Sequence, residues 1–317
     1  MVKLNRSLLG ALVGSLLLGA AAFAQEKEAE SAVKIDPMDL TGQSRQMSTL
    51  LEGYYNNALG GSLNWAEVQS VRFHGVLELP QGLVEFIAFK KKPQYCKVVL
   101  FGANDLRVVM ATDGEDSWQL MTNDAVDVVD MPKADAINFV RDATIGGHLL
   151  YSTLVGKQIE LAGTERIDAE LCYHLKVTLP DQQVVEYFLD ATDYVERRQV
   201  VTNAVSGQRE VTNHFEHRDV HGLKIPFRSV MSVDGEQVHA VRLLDVDVNS
   251  GVTSWMFGRD SATYVPKAGR AVGSASQRTA VDLSTPVEGS GMESQFKMPE
   301  IDDAQRKQLL RDIEIEL

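Results

Sequence analysis

The densest group of chemistry-bearing residues is "HFEHRDVH", which holds His214, His217 and His221, with His239 further along. Imidazoles are the commonest zinc ligands, and three of them converging on one point would make a metal centre. The flanking residues alternate as in an extended strand. There His214 and His217 point to opposite faces, while His217 and His221 share a face but stand roughly 13 Å apart. One strand cannot bring all three to an ion. Polar histidines on a partly exposed strand are therefore the reading, and no metal is expected.

Carboxylates gather in "GEDSW", "DAVDVVD" and "LLDVDVN". They fall at turns or along strand faces with no companion base, where edge charges discourage sheet-to-sheet association. The chain has no GxSxG elbow, no HExxH and no glycine-rich phosphate loop, so neither a catalytic residue nor a cofactor is expected. Cys96 and Cys172 lie in separate strand-like segments with no CxxC. A disulfide between them and two buried thiols are equally compatible with that spacing.

The elements that would position these groups are mostly strands. Leu40, Met47, Leu50, Leu51, Tyr54, Tyr55 and Ala58 recur at helical spacing until Gly60-Gly61 closes one amphipathic helix. A run of short alternating segments follows, with Asp113-Gly114 as a tight turn and Trp118 opening the next strand. "MPKADAINFVRDATIGGHLLYSTLVG" interrupts them with a pattern of two short helices broken at Gly146-Gly147. Strands then resume to "LLDVDVN". Helix, strands, helical insertion and more strands exclude an α/β nucleotide-binding fold.

At the start, Lys3 and Arg6 precede an apolar run that ends in Ala22-Phe23-Ala24, the pattern of a cleavable secretory signal over 1–24. Its loss would take the formal net charge from -13 to -15, a balance that disfavours nucleic acid as a partner. Residues 25–39 read as a flexible segment, 40–257 as the main domain, and 258–317 as a Gly/Ser-rich linker with a C-terminal helix carrying Leu309, Leu310, Ile313 and Leu317 on one face.

Read together, "YYNNALGG", "VQSVRFHGVLEL", "KKKPQYCKVVL", "MATDGEDSWQL", "IELAGTERIDAELCYHLKVTLPD", "VVEYFLDATDYVERRQ", "HFEHRDVHGLKIPFRS" and "LLDVDVNSGV" come in an order that resembles the periplasmic outer-membrane lipoprotein-sorting proteins of the LolA/LolB-like superfamily. The resemblance covers roughly residues 45 to 257. It implies an α+β, mainly antiparallel fold: a half-open curved β-barrel covered by helices. It also implies a periplasmic carrier or chaperone, not an enzyme, that holds lipoprotein acyl chains or another lipid between an inner-membrane donor and an outer-membrane acceptor. An envelope-stress sensor on the same fold and a secreted hydrolase without a recognisable motif are the alternatives.

On that template the lipid cavity would be lined by Phe73, Phe86, Val98, Leu100 and Trp118 on strands and by Phe139, Leu149, Leu150 and Leu154 on the lid. The family's basic residue before a proline falls on Lys92, whose implied role is to bond lid backbone and switch cargo release. A lysine there lacks the planar fork of arginine. By themselves, Lys90, Lys91 and Lys92 read as a solvated turn.

Overall fold

The computed structural model describes residues 36–80, 82–102, 107–122, 127–202 and 207–264. The signal at 1–24, residues 25–35 of the segment 25–39 and the tail beyond residue 264 lie outside the described residues. Helix α1 (Arg45–Ala58) starts at Ser44, whose hydroxyl accepts from the Met47 amide, and buries Met47, Leu50, Leu51, Tyr54, Tyr55 and Ala58. A second short helix follows, α2 (Gly61–Glu67), where the sequence pattern suggested only a cap. Gly60 and Gly61 both take positive φ, so the glycine pair turns the chain sharply and lets it re-enter helix instead of leaving it.

Thirteen strands are then described: β1 (Ser70–Leu79), β2 (Gly82–Lys91), β3 (Tyr95–Phe101), β4 (Arg107–Thr112), β5 (Ser117–Thr122), β6 (Val129–Asp130), β7 (Gln158–Ile167), β8 (Glu170–Thr178), β9 (Val184–Asp190), β10 (Glu196–Thr202), β11 (Arg209–Val220), β12 (Leu223–Val233) and β13 (Glu236–Val248). They form one antiparallel sheet in the order β6-β5-β4-β3-β2-β1-β13-β12-β11-β10-β9-β8-β7. Two meanders run outward from the β1–β13 seam, and the sheet ends at β6 on one side and β7 on the other. The segment that joins these edges, including α3 (Lys133–Arg141), must therefore pass from one margin of the open sheet to the other. That connection is what places a helical insertion against the sheet. The half-open sheet with helices agrees with the sequence expectation, and Asp113-Gly114 makes the β4–β5 turn, with Gly114 at φ +97°.

Register separates the two faces. Phe73 pairs with Ala88, Ala88 with Val98 and Val98 with Met110, a row that faces the helices. The neighbouring row, Phe89, Lys97, Ala111 and Trp118, faces the other way because adjacent strand residues alternate. On that second face two 3₁₀ turns, Ser254–Phe257 and Arg259–Ser261, lie across the sheet. Val99, Val109, Ala111, Trp118 and Leu120 pack against Ala262, while Phe89 packs against Val252, Met256 and Phe257. The expected linker beginning at residue 258 is corrected here: Gly258 to Tyr264 belong to a strap on the sheet.

The strap also explains a fully enclosed lysine. Lys97 Nζ donates to the carbonyls of Ser261 at 2.7 Å and Tyr264 at 2.9 Å. Arg259 holds Asp116 and Asp130 at the same end.

Within β1 the register against β13 shifts between His74 and Gly75. A Cβ on Gly75 would stand 2.4 Å from the Arg242 carbonyl oxygen and 2.9 Å from the Phe86 ring. Gly75→Ala is expected to destabilise the fold by roughly 1–3 kcal/mol through this overpacking. Urea denaturation reads the effect, and an unmoved midpoint would refute it.

Candidate functional site

The segment after α3 differs from the sequence reading. Only Lys133–Arg141 is helical, and residues 142 to 157 run through turns. Gly146, Gly147 and Tyr151 all have positive φ, which a continuing helix cannot accommodate. The Leu149, Leu150 and Leu154 spacing that suggested a second helix is the spacing of a buried turn. Non-helical backbone in a core needs outside partners. Here side chains supply them: Tyr55 Oη donates to the Leu149 carbonyl at 2.7 Å and Lys90 Nζ to that of Thr144 at 3.4 Å, while Tyr54 Oη, whose one hydrogen goes to Glu196, lies 3.3 Å from the Gly146 carbonyl. Lys157 Nζ donates to the Leu150 carbonyl, and the Ser152 hydroxyl donates to that of Asp39 at 2.7 Å.

Beneath this segment lies a pocket with about 590 Å³ of free space, its mouth included. Ala58 and Leu59 line it beside Trp65 of α2, Val71 and Phe73 of β1, Ile145, and Leu223 and Ile225 of β12. Its polar groups are Tyr54, Lys90, Glu196 and His217, with exposed Lys224, paired to Asp219, also on the lining.

The polar groups form a floor. Glu196 is 8 % exposed; its Oε1 accepts from Tyr54 Oη at 2.7 Å, and its Oε2 has no hydrogen-bond partner. Burial pushes the Glu196 carboxyl up to about 7, against the Tyr54 hydrogen bond and the charge of Lys90. Burial equally brings the Lys90 ammonium down to about 8 and the His217 imidazole down to about 4. His217 is packed against the Glu196 backbone, and neither ring nitrogen completes a hydrogen bond of normal geometry.

Of the residues expected to form a cavity, Phe73 lines this pocket. Phe86, Val98 and Leu100 share its face of the sheet but are buried farther along the strands, and Phe139, Leu149 and Leu150 are enclosed as core. Leu154 is half-buried in the turn segment. Trp118 is corrected outright: it stands on the opposite face, buried under the strap, with Nε1 donating to the Phe257 carbonyl at 2.8 Å.

Lys92 donates to the Trp65 carbonyl of α2 and lies 4.0 Å over that indole ring, so it fastens α2 and not the turn segment. The lysine that bonds the inserted backbone is Lys90, two residues earlier on the same strand face. Trp65 in turn touches the insertion, since a Cβ on Gly146 would stand 2.6 Å from its ring.

The histidines do not form a cluster. His214 Nδ1 meets the Ser229 hydroxyl at 2.9 Å, His221 sits in the β11–β12 turn and His239 is buried on β13. Among the described residues no three metal-ligating side chains converge. Cys96 and Cys172 are both buried free thiols, and burial raises Cys96 to about 12.

Neither the protein-family models nor the curated proteins give a match to this chain. Solved structures do. A DUF1329 family protein from Desulfovibrio piger aligns at 11 % identity over 67 % of this chain and 98 % of its own, with a TM-score of 0.50. The fold is the one the resemblance implies. A LolA superfamily protein from Nitrosomonas europaea aligns at 15 % identity over 68 % of this chain and 98 % of its own, with a TM-score of 0.49. An outer membrane lipoprotein-sorting protein domain from Vibrio parahaemolyticus follows at 9 % identity over 64 % and 96 %, with a TM-score of 0.48. At such identities the likeness concerns the fold alone.

Proposed function

We propose that this protein is a periplasmic binding protein, not an enzyme, that shields an acyl chain of a lipoprotein or another lipid on its way toward the outer membrane. The observation that carries the reading is the apolar pocket between α1, α2, β1 and the inserted turn segment. Its walls are hydrocarbon and indole, and each methylene buried there contributes about 0.8 kcal/mol. The pocket is narrow, so a single chain is the expected occupant, not three at once. Cargo would arrive from an inner-membrane donor and leave to an outer-membrane acceptor. In this reading Phe73 and Trp65 contact the chain, while Lys92 steadies the pocket wall by holding α2.

The test is native mass spectrometry of the full chain purified without detergent, offered a monoacylated lipopeptide and its unacylated twin. Retention of the acylated form alone is expected. Ala58→Phe, which fills the pocket from α1, should lower that retention about tenfold, a loss of about 1.4 kcal/mol. Equal binding of both peptides, or an Ala58→Phe protein that binds as before, defeats the reading.

A further inference from the structure

The floor of the pocket gives the head of an amphiphile nothing to bind. Glu196 Oε1 is taken by Tyr54 Oη, Glu196 Oε2 and both His217 ring nitrogens have essentially no accessible surface, and the buried Lys90 donates to the Thr144 carbonyl. The walls are hydrocarbon and indole, from Trp65, Val71, Phe73 and Ile145 among others. A charged head drawn inside would shed its water without gaining partners. The tail must therefore lead, and the head must stop at the mouth.

The register of β12 locates that mouth. Its ladder with β13 begins at Arg228, so the β12 edge from Leu223 to Phe227 stands outside that ladder. Leu223, Lys224, Ile225 and Pro226 all line the pocket although strand side chains alternate between faces, so the pocket meets β12 at this edge. Lys224 is the exposed residue among those that line it. The β11–β12 turn fixes its place: His221 and Gly222 take the two positive φ values of a tight hairpin, and Asn64 of α2 donates to the His221 carbonyl at 2.9 Å. Directly across the ladder stands Asp219, whose Oδ1 accepts from the Gly222 amide at 2.9 Å and whose Oδ2 accepts from Lys224 Nζ at 3.1 Å. Both side chains are exposed, and an exposed pair of this kind is weak and screened by salt. An anion arriving at Lys224 can take the place of Oδ2, while Asp219 keeps its bond to the turn.

We propose that the pocket takes a single-chain amphiphile tail-first and that Lys224 receives its anionic head, a carboxylate or a phosphate, at the mouth in exchange for Asp219. A lysine meets either head as a mobile point charge, so the site asks for the charge and not for one head shape. The inference rests on the reading of this pocket as a lipid site and names the class of lipid that it holds.

Four ligands with one tail test it: octanoate, octyl phosphate, octanol and octylamine, titrated calorimetrically into the full chain near neutral pH and at low ionic strength. The two anions should bind at least about fivefold more tightly than octylamine, and added salt should narrow that preference. Lys224→Met should shrink it below about twofold while leaving octanol affinity, and Lys224→Glu should reverse it, with folding checked by circular dichroism. Asp219→Asn removes the competing carboxylate and should tighten both anions about threefold. Ala58→Phe, by contrast, should weaken octanol and the anions alike. Whichever anion binds more tightly identifies the head as phosphate or carboxylate. Octylamine binding as well as the anions overturns the inference, as does an anion preference that survives Lys224→Met. Acetate or inorganic phosphate binding as tightly as its octyl counterpart would refute tail-first entry. If octanol and the monoacylated lipopeptide bind while the heads are not distinguished, the Lys224 inference alone fails. If no tailed ligand binds in either experiment, the lipid reading fails with it.

Discussion

Glu196→Gln should abolish a fall in folding stability on the order of 3 kcal/mol that the native protein undergoes between about pH 4.5 and pH 7. The sign follows from the direction of the shift. Burial raises the Glu196 carboxyl from 4.5 to about 7, so in that window the folded state holds a proton that the unfolded state has released. Stability then declines with rising pH, from full value below the unfolded pKa to its lower plateau above the folded one. The groups that act on this carboxyl are Tyr54 on α1, Lys90 on β2 and Tyr187 on β9, and His217 on β11 meets the Glu196 backbone. Because they stay in place in the glutamine variant, the difference between the two stability curves isolates Glu196. Urea denaturation across this range, native against variant, is the measurement. Parallel curves would mean that Glu196 is already ionised and fully compensated in the fold.

That carboxyl was out of reach of the sequence for a physical reason. Tyr54, Lys90, Glu196 and His217 come from four elements, with more than a hundred residues between Lys90 and Glu196, and only the order of the strands in the sheet makes them neighbours. One signal was present. In β2, Phe86, Ala88 and Lys90 share a face by strict alternation, so Lys90 belonged with two core residues and not with a solvated turn. Strand segments, the Asp113-Gly114 turn and the buried stripe of α1 were legible because each is set by local period and turn chemistry. The seven-residue α2 was too short to show a period. The inserted turns imitate helical spacing because tertiary hydrogen bonds from Tyr55, Lys90 and Lys157 replace a helix's own. The family template places Trp118 at the cavity, whereas the register of β4 against β5 puts it on the other side of the sheet.

The two faces make separable demands, and Trp118 tests the separation. Trp118→Ala removes the indole that packs with Val99, Val109, Leu120 and Ala262, and it strips the Phe257 carbonyl of its donor. Truncation of a buried tryptophan typically costs about 3–5 kcal/mol. The strap should loosen first, because Lys97 and Arg259 would then hold its far end alone. Trypsin should consequently cut at Arg259 well before the rest of the domain unfolds. The milder Trp118→Phe keeps a ring and loses the N–H, for about 1–3 kcal/mol, and stays folded for ligand titration. Its affinity for the monoacylated lipopeptide should match the native value, whereas Phe73→Ala, on the helix-facing side, should weaken that affinity several-fold. A folded Trp118→Phe protein that loses affinity as Phe73→Ala does would show that the strap face and the pocket face are coupled through the sheet. Matching affinity beside a lowered urea midpoint would assign Trp118 to the strap alone, because the sheet backbone lies between its indole and the ligand.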